Sequence, residues 1–208
     1  MEPQTSGRRN KRDRQATEKR LKKAAVTVFA AHGYDAATTR AVAEAAGVSE
    51  QLIQRYFGGK AGLLQAIMES YADSDRAGAF GVPPAADTVA AEVEDFLRFY
   101  LERERKYGDF ARVAIYRSIV DPKIAAQVAR MFTRSREPLA RDRLANLKAK
   151  GLISPGADIA AMAHVLSTLS FAFAFNDQLL FGRSAATLRR AIRTFAKIAA
   201  AGLSGGEP

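Results

Sequence analysis

A chain of 208 residues with 48% apolar side chains is long enough to bury a core and too apolar to be mostly disordered. It has no Cys, which excludes disulfides and thiol catalysis, and a formal net charge of +10, which favours a polyanionic partner. No apolar run reads as long enough to span a bilayer, and the N-terminus lacks the apolar segment of a secretory signal, so a cytoplasmic protein is expected.

Residues 1–13 read as a disordered basic arm. Within residues 1–23 nine Lys or Arg stand against three acids. The first helix is expected near Gln15–His32, where Leu21, Ala24, Ala25, Val28 and Phe29 keep helical spacing. Gly33 is its expected left-handed stop. Thr38 reads as the N-cap of a short helix, Thr39–Ala46. Gly47 ends it, Ser49 caps a third helix over about Glu50–Phe57, and Gly58-Gly59 closes that one. A fourth helix, from Lys60 to about Ala77, carries the stripe Leu63, Leu64, Ile67, Met68 and Tyr71. Gly78, Gly81, Pro83 and Pro84 then punctuate the chain.

Further helices follow. The spacing of Val89, Val93, Phe96, Leu97, Tyr100 and Leu101 predicts one over about Ala86–Lys106, broken at Gly108. Asp109–Val120 is apolar on more than one face. Asp121-Pro122 reads as a cap and first-turn proline. A long helix then runs towards Lys150, with a kink or break near Pro138. The run "SFAFAF" alternates like a strand, but it lies inside about Asp158–Phe181, which is too long for one and keeps helical spacing. Greasy on two faces, that helix needs two burial partners. A last helix, about Ala185–Ala201, is capped by Ser184. The fold class expected is all-α, with about nine helices.

The stretch "TTRAVAEAAGVSEQLIQRYFGGKAGLL" meets the requirements of a helix-turn-helix. Ala43 is small where the helices cross. Gly47 accepts positive φ in the turn. Val48 supplies a core residue and Ser49 a cap. Ile53 points back from the second helix. Residues 16–64, with "AVTVFAAHGYDAATTRAVAEAAGVS" and "YFGGKAGLL", resemble the DNA-binding domain of the tetracycline-repressor family of transcriptional regulators. The likeness covers roughly the first third of the chain. It departs at outward positions: Gln51-Leu52 replaces a frequent Gly-Thr pair, and Gln54 replaces a frequent aromatic. The operator sequence therefore does not transfer.

From the residues, Gln51, Gln54 and Arg55 are candidate base readers, Gln for adenine and Arg for guanine. Glu50 could accept from cytosine or serve the helix dipole. Thr38, Thr39 and Arg40 could grip phosphate at a helix start, beside Ser49 at the next. Arg8–Arg14 could reach a minor groove. By resemblance, Tyr56 and Lys60 contact the DNA backbone.

The resemblance also implies a domain order: a helix-turn-helix domain over 14–59 and an effector-binding and dimerisation domain over 60–204. It implies a double-stranded operator as partner, a homodimer through helices about 158–181 and 185–201, and repression relieved by a small effector transmitted through the fourth helix. The effector would lie among Phe96, Phe99, Tyr100, Phe110, Val113, Tyr116, Phe132, Phe171 and Phe175, an apolar set that favours a hydrophobic compound. Arg117, Asn176, Gln178 and His164 could orient it, although His164 reads better as structural. No cofactor, metal site or membrane partner is expected. An enzyme finds little support, since "GGK" lacks the spacing and the Ser or Thr of a phosphate loop. An architectural DNA binder without an effector is the competing reading.

Overall fold

In this computed structural model, residues 5–76, 82, 84–106, 108–131, 134 and 136–205 are described. The elements among them are α-helical or π-helical, with no strand. They are α1 (Thr5–His32), α2 (Thr39–Ala46), α3 (Gln51–Phe57), α4 (Lys60–Arg76), α5 (Val89–Lys106), α6 (Gly108–Val120), α7 (Pro122–Met131), α8 (Glu137–Ala149), α9 (Ile159–Phe171), the π segment Ala172–Leu180, and α10 (Ala185–Leu203). The chain divides into two compact units: Met1–Asp73 with Arg112–Ala125, and Ser74–Ala111 with Ala126–Pro208. This division differs from the contiguous one expected, because part of α6 and α7 belongs with the N-terminal helices.

The smaller unit is built on the stripe read from α1. Leu21, Ala25 and Phe29 are buried with Val42 and Ala43 of α2, Ile53 of α3, and Leu63, Leu64, Ile67 and Met68 of α4. Gly33, Gly47 and Gly58 take φ of 76°, 62° and 71°, so the three expected stops are left-handed turns.

The larger unit has one core. α5 packs on α8, α9, the π segment and α10. Val93, Phe96, Leu97 and Tyr100 meet Leu144, Leu166, Leu188 and Ile192 there. Asp121 accepts from the Lys123 and Ile124 amides, Asp158 from Ala160 and Ala161, and Ser184 from Thr187. All three caps stand where helix starts were read.

Several expectations are corrected. α1 begins at Thr5, so residues 5–13, read as disordered, are helical. Arg8, Arg9, Lys11 and Arg12 are good helix formers, and the pair Arg14–Glu18 (2.7 Å) ties the next turn. The expected break before Asp109 stands, since α5 ends at Lys106, but Gly108 itself opens α6. A Cβ there would lie 2.9 Å from Leu179 Cδ2, so glycine permits the close approach of the π segment. Pro138 separates two helices, sitting in the first turn of α8. The π segment replaces the last turns of a single α-helix, with Phe181 N–H donating to the Asn176 carbonyl five residues back (2.8 Å). Contrary to the reading of the sequence, Ile159–Leu180 is long and apolar enough to cross a membrane by length and composition. Its Ala, Ser and Thr residues interrupt the large side chains without adding charge. Only 33% of its apolar window is buried within this chain.

Candidate functional site

The turn of the helix-turn-helix is assembled from backbone bonds. Thr38 Oγ1 accepts from the Ala41 amide at 3.1 Å, the cap read from the sequence. Gly47 N–H donates to the Glu44 carbonyl and Val48 N–H to that of Ala43, at 3.1 and 3.0 Å. This closes α2 and turns the chain into α3.

Ser49 does not cap α3 with its side chain as expected. The cap position falls to Glu50, whose dihedrals are already helical and which makes no side-chain cap bond. Ser49 contributes its carbonyl instead, accepting from Leu52 at 3.1 Å. Glu50 Oε1 accepts from Thr39 Oγ1 at 2.6 Å. A residue considered for cytosine, or for the helix dipole, thus ties the start of α2 to the start of α3.

Ile53 is buried, and Gln51, Gln54 and Arg55 are exposed on the opposite side of α3, at i, i+3 and i+4. Arg40 is exposed too, held to Glu44 at 2.9 Å. That partner raises its pKa, through the hydrogen bond first and the charge second. Sequence reasoning missed the anchor of Tyr56: the Arg14 guanidinium stacks over its ring at 4.9 Å. Arg14 lies one helix away, so only the fold brings them together.

Lys60 is employed differently from its expected role on the DNA backbone. Its ammonium donates to the carbonyls of Tyr34 (2.8 Å), Asp35 (3.1 Å) and Ala37 (2.9 Å) and lies 4.6 Å from the Tyr34 ring centroid. All three donors are engaged, on the turn that leads into the α2 cap. Lys60→Met should therefore destabilise the smaller unit by about 1.5–3 kcal/mol, the range for hydrogen bonds to a charged group. The slope of log affinity for DNA against log salt should stay unchanged, whereas loss of a phosphate contact lowers it by about one.

The candidate effector residues are divided between the two units. Val113, Tyr116 and Arg117 belong to the smaller unit and line a cavity there with Phe29 and Tyr34. Phe96, Phe99, Tyr100, Phe110, Phe171, Phe175 and Asn176 belong to the larger unit. Phe96 and Tyr100 are core residues, 3% and 2% exposed. Phe99 meets Tyr100 edge-on, and Phe171 stacks on Phe175 at 5.2 Å. Phe132 lies outside the described residues. His164 is exposed beside Glu137 at 3.2 Å, a surface pair.

The sequence reading overlooked the charges buried among these aromatics. Glu92 Oε1 accepts from Arg143 at 2.6 Å, while its other oxygen accepts from the Ala86 amide. Arg136 pairs with Glu104, donates to Ser170 and lies over the Tyr100 ring at 4.5 Å. A usable signal existed: Glu92 stands in the Val89, Val93, Phe96 register, where an apolar residue belongs. Gln178 Oε1, in the π segment, is buried with no hydrogen-bond partner among the described residues. Among the described residues, no group of three or more His, Cys, Asp or Glu could hold a metal ion.

Residues 21–67 match the family described as bacterial regulatory proteins, tetR family. A curated relative, the HTH-type transcriptional regulatory protein RaaS of Mycobacterium tuberculosis (strain ATCC 25618 / H37Rv), is 31% identical over 109 residues. That alignment covers 49% of this chain and 51% of the relative, so the chain spans about half the length of the curated protein it matches. Among solved structures, a TetR-family regulator from Rhodococcus sp. superposes with a TM-score of 0.68 at 19% identity, over 88% of this chain and 97% of that one. A regulator from Saccharomonospora viridis, solved in complex with choline, gives 0.73 at 16% identity, over 88% and 96%. At these identities the structures establish the fold. The matched segment runs from within α1 to within α4 and takes in the whole helix-turn-helix, so residues 21–67 are similar to the DNA-binding part of the tetR family of bacterial regulatory proteins.

Proposed function

We propose that the protein is a dimeric repressor that reads a palindromic operator and releases it on binding a small hydrophobic effector. The observation that carries this reading is the face of α3. Gln51, Gln54 and Arg55 stand exposed together while Ile53 pins the helix into the core. Gln and Arg are the side chains that make two hydrogen bonds to adenine and guanine edges in the major groove. Thr38, Thr39 and Arg40 at the start of α2 serve the phosphates, and Tyr56 is held ready by Arg14.

Dimerisation is supported by what α9, the π segment and α10 leave uncovered. Val165, Leu180, Phe181 and Ile198 are 40%, 52%, 63% and 64% exposed. A second copy supplies the burial these side chains lack, and a two-fold axis sets two recognition helices roughly 34 Å apart, one turn of DNA. An effector site in the larger unit is supported by Gln178, whose buried oxygen has no hydrogen-bond partner among the described residues and could accept from a ligand. The effector must bind the two states of the dimer unequally to change operator affinity.

Selection from random duplexes, repeated at several salt concentrations, tests the reading. A palindromic site is expected. Gln54→Ala and Arg55→Ala should each cost about 1–3 kcal/mol on that site and relax the preference at one position. Salt-sensitive binding without a preferred sequence would overturn the repressor and favour an architectural role.

A further inference from the structure

The cavity of the smaller unit is formed by the end of α1, the turn after it and residues 112–120 of α6. Its volume is about 470 Å³, within the range of small-molecule sites. Phe29, Val113, Tyr116 and Val120 give it an apolar wall, and Tyr116 and Val120 are 57% and 67% exposed. Uncovered apolar side chains of this size at the rim of a cavity are a feature of ligand sites.

The polar end is Arg117. One of its Nη atoms reaches both oxygens of Asp35, at 3.2 and 3.5 Å, and the other reaches Asp121 at 3.5 Å. Its guanidinium lies 4.9 Å from the Tyr34 ring centroid. The Tyr34 phenol is pushed above its ordinary pKa by burial, against the pull of Arg117, so it stays neutral beside an anion. The contacts to Asp35 come from a single nitrogen and do not form the parallel fork that suits a guanidinium and a carboxylate. Arg117 Nε has no hydrogen-bond partner among the described residues. The two partners also differ in setting. The Asp35 side chain is 84% exposed and that of Arg117 23%. An exposed carboxylate reaching in from solvent adds little and is readily replaced.

We infer that this cavity is a second ligand site, separate from the effector chamber proposed for the larger unit, and that it takes an aryl or arylalkyl carboxylate. The carboxylate replaces Asp35 on Arg117, and the apolar body covers Phe29, Val113 and Tyr116. The consequence is regulatory. Asp35 sits in the turn that Lys60 holds and that leads to the Thr38 cap, so occupancy removes one of the two ties on the entrance to the helix-turn-helix.

The chain has no Trp, so a single one reports its own surroundings. Tyr116→Trp places the reporter on the cavity wall, and Leu152→Trp places a control in the larger unit, at a residue with no assigned role. With 4-phenylbutanoate as the probe, the Tyr116→Trp protein should show a saturable fluorescence change and the Leu152→Trp protein none. In the Tyr116→Trp background, Arg117→Gln should weaken binding roughly tenfold or more, the loss expected for a charge-assisted pair. Arg117→Lys, which keeps the charge and loses the fork, should fall between. Asp35→Asn should tighten binding several-fold by removing the competitor, a result that misfolding cannot imitate. The uncharged 4-phenylbutanamide should bind as weakly as the acid binds Arg117→Gln. No saturable change with Tyr116→Trp, equal binding of acid and amide, or no response to Asp35→Asn would overturn the assignment. None of these outcomes bears on the chamber around Gln178.

Discussion

Arg143→Met should lower the stability of the larger unit by about 3–5 kcal/mol, the cost of leaving a buried charge without its partner. Glu92 is 2% exposed and its carboxylate has two partners, the Arg143 guanidinium at 2.6 Å and the Ala86 amide at 2.8 Å. Removing Arg143 leaves one backbone N–H to hold a full negative charge inside the α5–α8 packing. Methionine matches the stem of arginine, so the loss is electrostatic and not a cavity. The double variant Glu92→Leu with Arg143→Met should recover most of that loss, because two well-packed apolar side chains replace a costly ion pair. Urea unfolding of the two singles and the double gives the coupling. A double variant as unstable as the sum of its singles would show that the pair is not the reason. Hydrogen exchange should localise the loss to α5, α8 and their neighbours, since α1–α4 form a separate compact unit.

The Glu92–Arg143 pair shows where reading the sequence reached and where it stopped. Helix periodicity placed Val89, Val93, Phe96 and Tyr100 in the core, and the structure buries all four. The same periodicity places Glu92 inward, but a partner 51 residues away has no signature in spacing. The N-terminal helices were legible because every requirement is local: a Thr cap, a small residue at the crossing, a glycine that takes positive φ, one inward isoleucine. Lys60 and Glu50 were not. Their types suit DNA contact or a helix dipole equally well, and only the fold shows that the ammonium sits on three carbonyls and the carboxylate on Thr39. The candidate effector residues were spread over both units for a related reason. Aromatic residues at helical spacing look alike whether they line a chamber or fill a core, and α6 contributes to both units. The π segment was missed because a register change from four residues to five has no signature in composition or in apolar spacing.

Gly62→Ala should abolish specific operator binding while leaving the larger unit folded. A Cβ at position 62 would lie 1.7 Å from the carbonyl oxygen of Phe57 and 2.9 Å from its carbon. Both are backbone atoms at the end of α3, so no rotamer change relieves the overlap. The intervening Gly58 and Gly59 already take φ of 71° and 109°, which leaves that turn little freedom to swing away. Ordinary overpacking costs about 1–3 kcal/mol, and an overlap this deep with fixed atoms exceeds it. The start of α4 and the end of α3 must then separate. Ile53 and Leu63, both buried, lose the shared core that orients Gln51, Gln54 and Arg55. Gly202→Ala is the matched control. Its Cβ meets nothing within 4 Å, and it lies in the last turn of α10, where alanine is favoured by about 0.5–1 kcal/mol over glycine. Thermal unfolding should move up slightly for Gly202→Ala. For Gly62→Ala, amide exchange should accelerate across α2 and α3 while α5 and α10 keep their protection. Normal operator affinity in Gly62→Ala would mean that α3 reads DNA without α4 beneath it, and the rigid two-helix frame assigned to Ile53 and Leu63 would have to be abandoned.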